Sequence, residues 1–384
     1  MRVFVEGGCL LRERSGVGQY TKALIEALLP LRPADRFTIF GFFFAGKRFA
    51  PPIPPRENLD YRLIRYFPGK GYSFLFRKLA APPVDLLLGA RPDLCFFPNF
   101  VRFPLALREP SVIVIYDLSF LLHGRYVAPR NREYLKEFVP RSIRKAERIV
   151  TISENSRREI VENYRVAPER VAIVPPAVDP GHFRRRPEEE VREVLARHGI
   201  TKPYILFTST IEPRKNILGL LEAYAALPRE LRSSHGLVLV GGKGWLDEEI
   251  HRRLGELSHL DVRLTGYVGD RDLPALYSGA SVFVYPSFYE GFGMPPLEAM
   301  ACGVPVVTSR NSSLPEVVGD AGILVDPGDP SAIAQAIQEV LCSPARAADL
   351  SRRGLERSRA FRWDESARRL ATVFEEAAGV SGSS

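Results

Sequence analysis

Two α/β domains in tandem, each a doubly wound parallel sheet, are the architecture this sequence predicts. Three observations carry that expectation. Short, continuously apolar runs alternate with segments of helical period, and strands of that kind belong to parallel sheets covered on both faces by helices. The alternation starts twice, at Arg2 and again near Tyr204, on either side of a proline-rich, non-periodic stretch, PPAVDPGHFRRRP (175–187). The chain of 384 residues is also longer than a single core usually holds.

The elements follow in order. RVFVE (2–6) reads as a first strand, and GGCLLRERSGVGQY as a glycine-bearing loop. From Val17 the apolar spacing becomes three and four (Tyr20, Leu24, Ala27, Leu28, Leu31), which predicts a helix. Gly16 and Gly18 then sit at a strand–loop–helix junction, either a phosphate-binding loop or a plain turn. FTIFGFFF (37–44) is a buried strand. Residues 47–78 interleave basic and aromatic side chains (among them Lys47, Arg48, Phe49, Arg62, Arg65, Tyr66, Phe67), as an anionic surface would want. The alternative is a solvated loop leading into an amphipathic helix. Strands follow at 93–97, 112–116, 147–152 and 171–174, with helices at 131–145 and 154–164. Functional groups of such sheets gather past the carboxyl ends of strands. Asn99, Tyr116 and Asp117 fall there, while Ser153 reads as a helix N-cap.

After the proline-rich stretch come strands at 204–210, 237–242, 262–267, 281–287, 304–309 and 322–326, with helices between them, and a terminal helix at 361–377 with aromatic spacing. The expected organisation is a first domain at 1–176, a linker at 177–202, a second domain at 203–360, and a helix from 361 returning to the first domain ahead of a disordered tail.

Composition limits the function classes. The chain is 45% hydrophobic and 26% charged, ordinary for a soluble globular protein. No run reaches the ~18 apolar residues of a membrane span, and MRVFVEGG lacks the features of a signal peptide. The four cysteines show no C-x-x-C spacing, so a reduced, cytoplasmic setting without structural zinc or disulfides is expected. The net charge of +8 is uneven: up to position 180 there are 29 basic against 18 acidic residues. The first half is therefore expected to meet something anionic, whether nucleic acid, a membrane or a phosphorylated acceptor. The sequence has no G-x-S-x-G, H-E-x-x-H or P-loop motif, which leaves hydrolase, metalloprotease and P-loop readings unsupported. An oxidoreductase fingerprint is missing as well, since S-G-V-G-Q-Y lacks the third glycine of G-x-G-x-x-G.

Chemistry concentrates in the second half. YPSFYEGFGMPPLEAMACGVP (285–305) places Glu290 in a glycine-bearing turn and Glu298 in a helix opened by Pro295 and Pro296. If that helix begins near Pro296, Glu298 falls in its first turn. Gly291, Phe292, Gly293 and Met294 then offer backbone N–H groups to an anion at a helix start. IEPRKN (211–216) follows another strand, just after Ser209 and Thr210. Arg214 and Lys215 at a helix start oppose the helix dipole, so a diphosphate ligand explains them better than a basic turn does. Lys243 in LVLVGGKGW, and Tyr267 with Val268 after VRLT, also lie past strand ends. Asp270-Arg271-Asp272 has a D-x-D spacing, but it precedes a helix and reads as a cap, so no metal site is expected.

Together these motifs resemble one family. The run from Thr265 to Asp329, with TSTIEPRKNILGLLEAY, SGVGQYTKAL and VIVIYDLSF, resembles the retaining glycosyltransferases of family 4, and the resemblance covers nearly the whole chain. It implies the GT-B fold, two doubly wound Rossmann-like domains facing across a cleft that closes about residues 175–202. It implies a nucleotide diphosphate sugar as donor, held by the second domain, and a glycan or lipid-linked acceptor on the first. Neither a metal nor another cofactor is implied, and nucleic acid is no partner. By the same resemblance Glu290 sits by the donor sugar, Glu298 holds the ribose, and Gly291 to Met294 contact sugar and phosphates. Arg214 and Lys215 neutralise the leaving diphosphate, and Gly16 and Gly18 close on it. Ser209, Thr210, Lys243, Tyr267 and Val268 complete the donor side; Asn99, Tyr116 and Asp117 face the acceptor. Two departures stand out: Tyr116 replaces a histidine of many relatives, and Ser209 and Thr210 stand where many carry arginine. The motifs look most like users of GDP-mannose, with UDP-glucose or another UDP-hexose as the alternative donor. A non-catalytic scaffold binding an anionic glycan or lipid is the alternative outside enzymes. Residues 47–78 would seat the protein peripherally at the inner face of a membrane.

Overall fold

The computed structural model describes residues 1–10, 16–42, 50–65, 82–106, 109–242, 244 and 248–379. They divide into two compact units, one of Met1–Pro176 with the C-terminal segment from Trp363, the other of Ala177–Arg362.

The first unit is built on seven parallel strands: β1 (Arg2–Glu6), β2 (Arg36–Phe42), β3 (Leu59–Ile64), β4 (Leu94–Phe97), β5 (Ser111–Val114), β6 (Arg148–Thr151) and β7 (Val171–Ile173). Their order is β3-β2-β1-β4-β5-β6-β7. β4 and β5 are buried along their whole length, which is why their sequences are apolar without alternation. The chain leaves β1 toward one edge and returns on its other side as β4, so the sheet changes direction between these two strands.

β3 corrects the alternative reading of residues 47–78 at one point: residues 59–64 are a strand and not a solvated loop, while the helix expected after them falls on residues outside the described ones. LDYRLI pairs residue for residue with β2, from Phe37 with Leu59 to Phe42 with Ile64. As an edge strand it buries only its ends and mixes charged with apolar residues, which hid it. Arg62, one of the basic residues expected to face a membrane, donates through Nη1 to the Leu88 carbonyl at 2.7 Å. Most of the remaining basic–aromatic residues lie outside the described ones.

The terminal helix, Trp363–Ala378, belongs to this unit. It buries Ser366, Ala367, Leu370, Val373 and Phe374, one stripe at helical spacing. Phe374 meets Phe96 of β4 edge-on at 5.2 Å, and Trp363 packs on Tyr20 at 5.8 Å. Ser366 Oγ donates to the Pro175 carbonyl at 2.6 Å, and Arg32 and Arg148 pair with Glu375 and Glu376.

The second unit has six parallel strands: β8 (Tyr204–Thr208), β9 (Gly236–Val240), β10 (Val262–Gly266), β11 (Val282–Tyr285), β12 (Val306–Ser309) and β13 (Gly322–Val325). The order β10-β9-β8-β11-β12-β13 repeats the plan of the first sheet, with the change of direction between β8 and β11.

Residues 177–202, expected as a linker, are part of this unit. Helix Glu188–Arg197 buries Val191 and Val194. At its end Arg197 Nη1 reaches both oxygens of Asp272, at 2.8 and 2.9 Å, and His198 Nε2 lies 3.1 Å from Oδ2. Asp272 stands at the N-cap position of helix Leu273–Ser278, but its side chain makes no cap hydrogen bond. The expected cap is thus corrected: a cation and an imidazole outbid the helix N–H groups for that carboxylate. Ser153 does cap its helix, accepting from Ser156 N–H. Among the described residues, no helix is long and apolar enough to cross a membrane.

Candidate active site

In doubly wound sheets ligands bind beyond the carboxyl ends of the strands that flank the change of direction. In the second unit those strands are β8 and β11, and the loops leaving them are 209–216 and 286–293. These hold the two motifs singled out from the sequence.

The first loop ends in a 3-10 turn, Pro213–Lys215, and then Asn216 at φ +56°, a left-handed conformation that asparagine tolerates. Asn216 Oδ1 caps helix Ile217–Ala226 by accepting from Gly219 N–H at 3.2 Å. Arg214 and Lys215 therefore precede the capped helix end. Their charge is met within the protein by Glu212 and Glu290, a pairing that neither reading from the sequence, a diphosphate ligand or a basic turn, included. Arg214 donates from Nη1 to Glu290 Oε2 at 3.0 Å and to the Tyr289 carbonyl at 2.7 Å, and from Nη2 to Glu212 Oε1 at 2.7 Å. Lys215 Nζ donates to Glu290 Oε1 at 2.7 Å and to the Tyr285 hydroxyl at 2.8 Å.

Glu290 is the hub of this network. Its Oε1 also accepts from the Tyr285 hydroxyl at 2.9 Å and from Ser287 Oγ at 2.6 Å. Burial pushes the carboxyl up, but Arg214, Lys215 and the hydrogen bonds outweigh it and bring it down to about 2. Burial works against the Lys215 ammonium as well and lowers it, with Glu290 opposing. Glu212, 2% exposed, is raised by burial, with Arg214 opposing. Two cations and two carboxylates thus share one buried site with no net charge.

The backbone on either side of Glu290 is fastened from β12 and the loop that follows it. Ser309 Oγ donates to Ser287 O at 2.7 Å, and Ser313 Oγ lies 2.9 Å from Glu290 O and 2.6 Å from Phe292 O. Gly293, at φ +121°, is the N-cap of helix Met294–Ala301, and a Cβ there would come 2.8 Å from Leu314 Cδ2. Among the described residues, the N–H groups of Gly291, Phe292, Gly293 and Met294 have no protein acceptor. A row of unsatisfied donors at a helix N-terminus favours an anion.

That helix starts at Met294, two residues before the expected Pro296, so Glu298 lies one turn in rather than at the start. Its Oε2 accepts from the Tyr277 hydroxyl at 2.8 Å, which in turn lies 2.6 Å from Thr208 Oγ1 at the end of β8. Burial raises Glu298 to about 7, with Tyr277 opposing and Asp270 adding to the rise. The two glutamates of the motif thus occupy opposite electrostatic settings, one held ionised by cations and one poised near neutrality.

The other expected residues sit as follows. Ser209 is partly buried, its N–H on Val240 O at 2.9 Å, and Thr210 is exposed. Gly241 and Gly244 press against the backbone of this loop: a Cβ would fall 1.7 Å from Ser209 O and 2.0 Å from Ile211 O respectively. Their need for glycine is thus one of packing. Lys243 lies outside the described residues. Tyr267 is 65% exposed and Val268 buried.

In the first unit Gly16 and Gly18 lie within the first turn of helix Gly16–Leu28 rather than before it. Tyr116 is buried; its hydroxyl donates to Pro98 O at 2.7 Å and its ring meets Tyr20 edge-on at 5.4 Å. That hydroxyl is engaged by the fold. Asp117 Oδ1 accepts from Ser119 N–H at 2.8 Å. Asn99 is exposed, held in a tight turn in which Val101 N–H reaches its carbonyl at 2.6 Å around Phe100 at φ +58°. Sequence reasoning did not assign Glu212, Tyr285, Ser287, Tyr277 or Thr208. The available signal was a polar residue at or just past each strand end beside the two motifs; Tyr277, inside helix Leu273–Ser278, had none.

Both units have known relatives. The model of the glycosyl transferases group 1 matches residues 190–357, and that of glycosyltransferase family 4 matches residues 14–182. The O-antigen chain mannosyltransferase B of Escherichia coli is 36% identical over 91% of this chain and 93% of its own. The serotype-specific mannosyltransferase WbdA of Escherichia coli is 35% identical over 67% of this chain and 32% of its own. Sucrose-phosphate synthase from Thermosynechococcus elongatus superposes with a TM-score of 0.74 at 21% identity, covering 99% of this chain and all of that one, a likeness of fold.

Proposed function

The chain belongs to glycosyltransferase family 4, and from that premise we propose that it transfers mannose from GDP-mannose, with retention of configuration, to a hydroxyl of a glycan or lipid-linked acceptor. The observation that carries this reading is Glu290, held by Arg214 and Lys215 beside the four N–H groups of Gly291 to Met294. The mannosyltransferase relatives support the sugar, and the O-antigen chain in the printed name of one of them supports the acceptor class.

In this reading the donor diphosphate lies against Arg214 and Lys215. As the bond from the sugar C1 to the phosphate oxygen breaks, negative charge grows on the diphosphate, where fixed cations and helix N–H groups lower the barrier most. These two side chains supply that stabilisation without a metal ion. The acceptor hydroxyl forms its bond to C1 on the same face, and its proton passes to the departing phosphate oxygen. Glu290, kept ionised, is too weak a base to take that proton; its role is to orient the cations and to accept a hydrogen bond from the sugar. Glu298 holds the ribose hydroxyls.

A panel of nucleotide sugars tests the proposal, with nucleoside diphosphate release measured for the purified protein. GDP-mannose is expected to be turned over fastest. Release with UDP-glucose alone would overturn the donor, and release with none would overturn the activity. Attachment to an anionic membrane through residues 47–78 is a separate proposal, resting on their basic–aromatic composition. Co-sedimentation with anionic vesicles at low salt checks it, and no binding there would end it.

A further inference from the structure

We propose that Glu212 is a positioning residue that fixes Arg214 and offsets its charge, so that the site grips the leaving diphosphate without retaining it; this rests on the reading of Arg214 as a diphosphate contact.

The proposal starts from a carboxylate with no local duty. Glu212 precedes the 3-10 turn, makes no side-chain cap there, and leaves the capping of the following helix to Asn216. It is nonetheless 2% exposed, and a buried carboxylate is costly unless paired. Its partner is Arg214, at 2.7 Å from Nη2, while Nη1 of the same guanidinium is fixed by Glu290 and the Tyr289 carbonyl. Both terminal nitrogens are therefore held by carboxylates from different loops, and the guanidinium plane is set before any ligand arrives. Glu212 also completes the charge balance. Without it, Arg214 and Lys215 would face Glu290 alone and the site would carry a net positive charge. A nucleoside diphosphate would then bind more tightly, as product as well as in the transition state, and turnover would fall.

This separates Glu212 from a residue that only holds the loop together. Calorimetric affinity for GDP and kcat with GDP-mannose are to be measured for the wild type, Glu212→Gln, Glu212→Asp and Arg214→Gln. Glu212→Gln is expected to bind GDP roughly three- to tenfold more tightly at low salt. Its kcat should fall by about tenfold, as expected for a displaced catalytic cation. Glu212→Asp keeps the charge but is one methylene short, so GDP affinity should return to the wild-type value while kcat stays low. If Glu212→Gln does not fold, Glu212→Asp decides alone by that split. Weaker GDP binding in Glu212→Gln, or wild-type kcat in either variant, would overturn the proposal. Should Arg214→Gln bind GDP as the wild type does, the diphosphate reading itself fails; should Arg214→Gln weaken GDP while Glu212→Gln changes nothing, only the role of Glu212 fails.

Discussion

Replacing Glu290 by Gln removes one charge and almost no volume, and the structure says where the loss will fall. Oε1 accepts from Lys215, Tyr285 and Ser287, and Oε2 from Arg214. If the Gln oxygen takes the three-donor side, its NH2 group meets Arg214 donor to donor. The larger cost is the Lys215 ammonium, whose side chain is 9% exposed and, among the described residues, has no other carboxylate in its ion pairs. Stranding one partner of a buried pair costs about 3–5 kcal/mol. The depression of Glu290 from 4.5 to about 2 gives a similar figure, roughly 3 kcal/mol. For a unit the size of Ala177–Arg362 that lowers the melting temperature by roughly 6–20 °C. Calorimetry at pH 7 reads it. The pH matters because a depressed carboxyl stabilises the fold fully above its unfolded value near 4.5 and loses that contribution as pH falls through about 2. Adding Lys215→Met to the Glu290→Gln chain removes the stranded charge and is expected to restore several degrees. A melting temperature within 2 °C of wild type for Glu290→Gln, or no recovery in the double variant, would refute the reasoning.

Further predictions come from the same unit. Glu298, near 7 and facing Tyr277 and Asp270, should accept ribose hydroxyls best when ionised, so the donor KM is expected to fall as pH rises from about 6 to 8. Glu298→Gln should flatten that profile, and an unchanged profile would refute it. Because its carboxyl is raised, the folded unit holds a proton that the unfolded chain has lost, and Glu298 makes stability decline as pH rises from 4.5 to about 7. Gly241→Ala sets a Cβ 1.7 Å from Ser209 O and should destabilise by about 1–3 kcal/mol or more. Gly255→Ala, in helix Glu248–Glu256 with nothing within 4 Å, should stabilise by about 0.5–1 kcal/mol, and equal melting temperatures for the two variants would count against both.

The fold was legible where burial forces a local pattern. β4, β5, β8 and β11 are buried throughout, so their sequences could only be apolar, and two strand sets separated by prolines announced two sheets. β3 was not legible, because an edge strand is read against its neighbour and not along itself. The acidic stretch after the prolines read as helical and is helix Glu188–Arg197, but its two buried valines gain meaning only from the unit they pack into. The site shows the same division. Glu290, Arg214 and Lys215 stood out because glycine, proline and charge at strand ends are local signals. Which carboxylate neutralises which cation is a matter of pairing across some 75 residues, and spacing holds no record of that. Tyr285, Ser287 and Glu212 read as ordinary strand-end residues until the two loops are brought together. Tyr116 went the other way: a polar residue past a strand end looked available, and the fold spends its hydroxyl on Pro98.

The transfer rate of Lys215→Ala with GDP-mannose tests most directly whether the cluster beyond β8 and β11 stabilises the leaving diphosphate. Losing a main charge-stabilising donor should lower kcat by about 10²–10³, roughly 2.7–4 kcal/mol, while the folded chain remains in hand for the assay. A near-normal rate in Lys215→Ala would contradict the assignment of the diphosphate to this site.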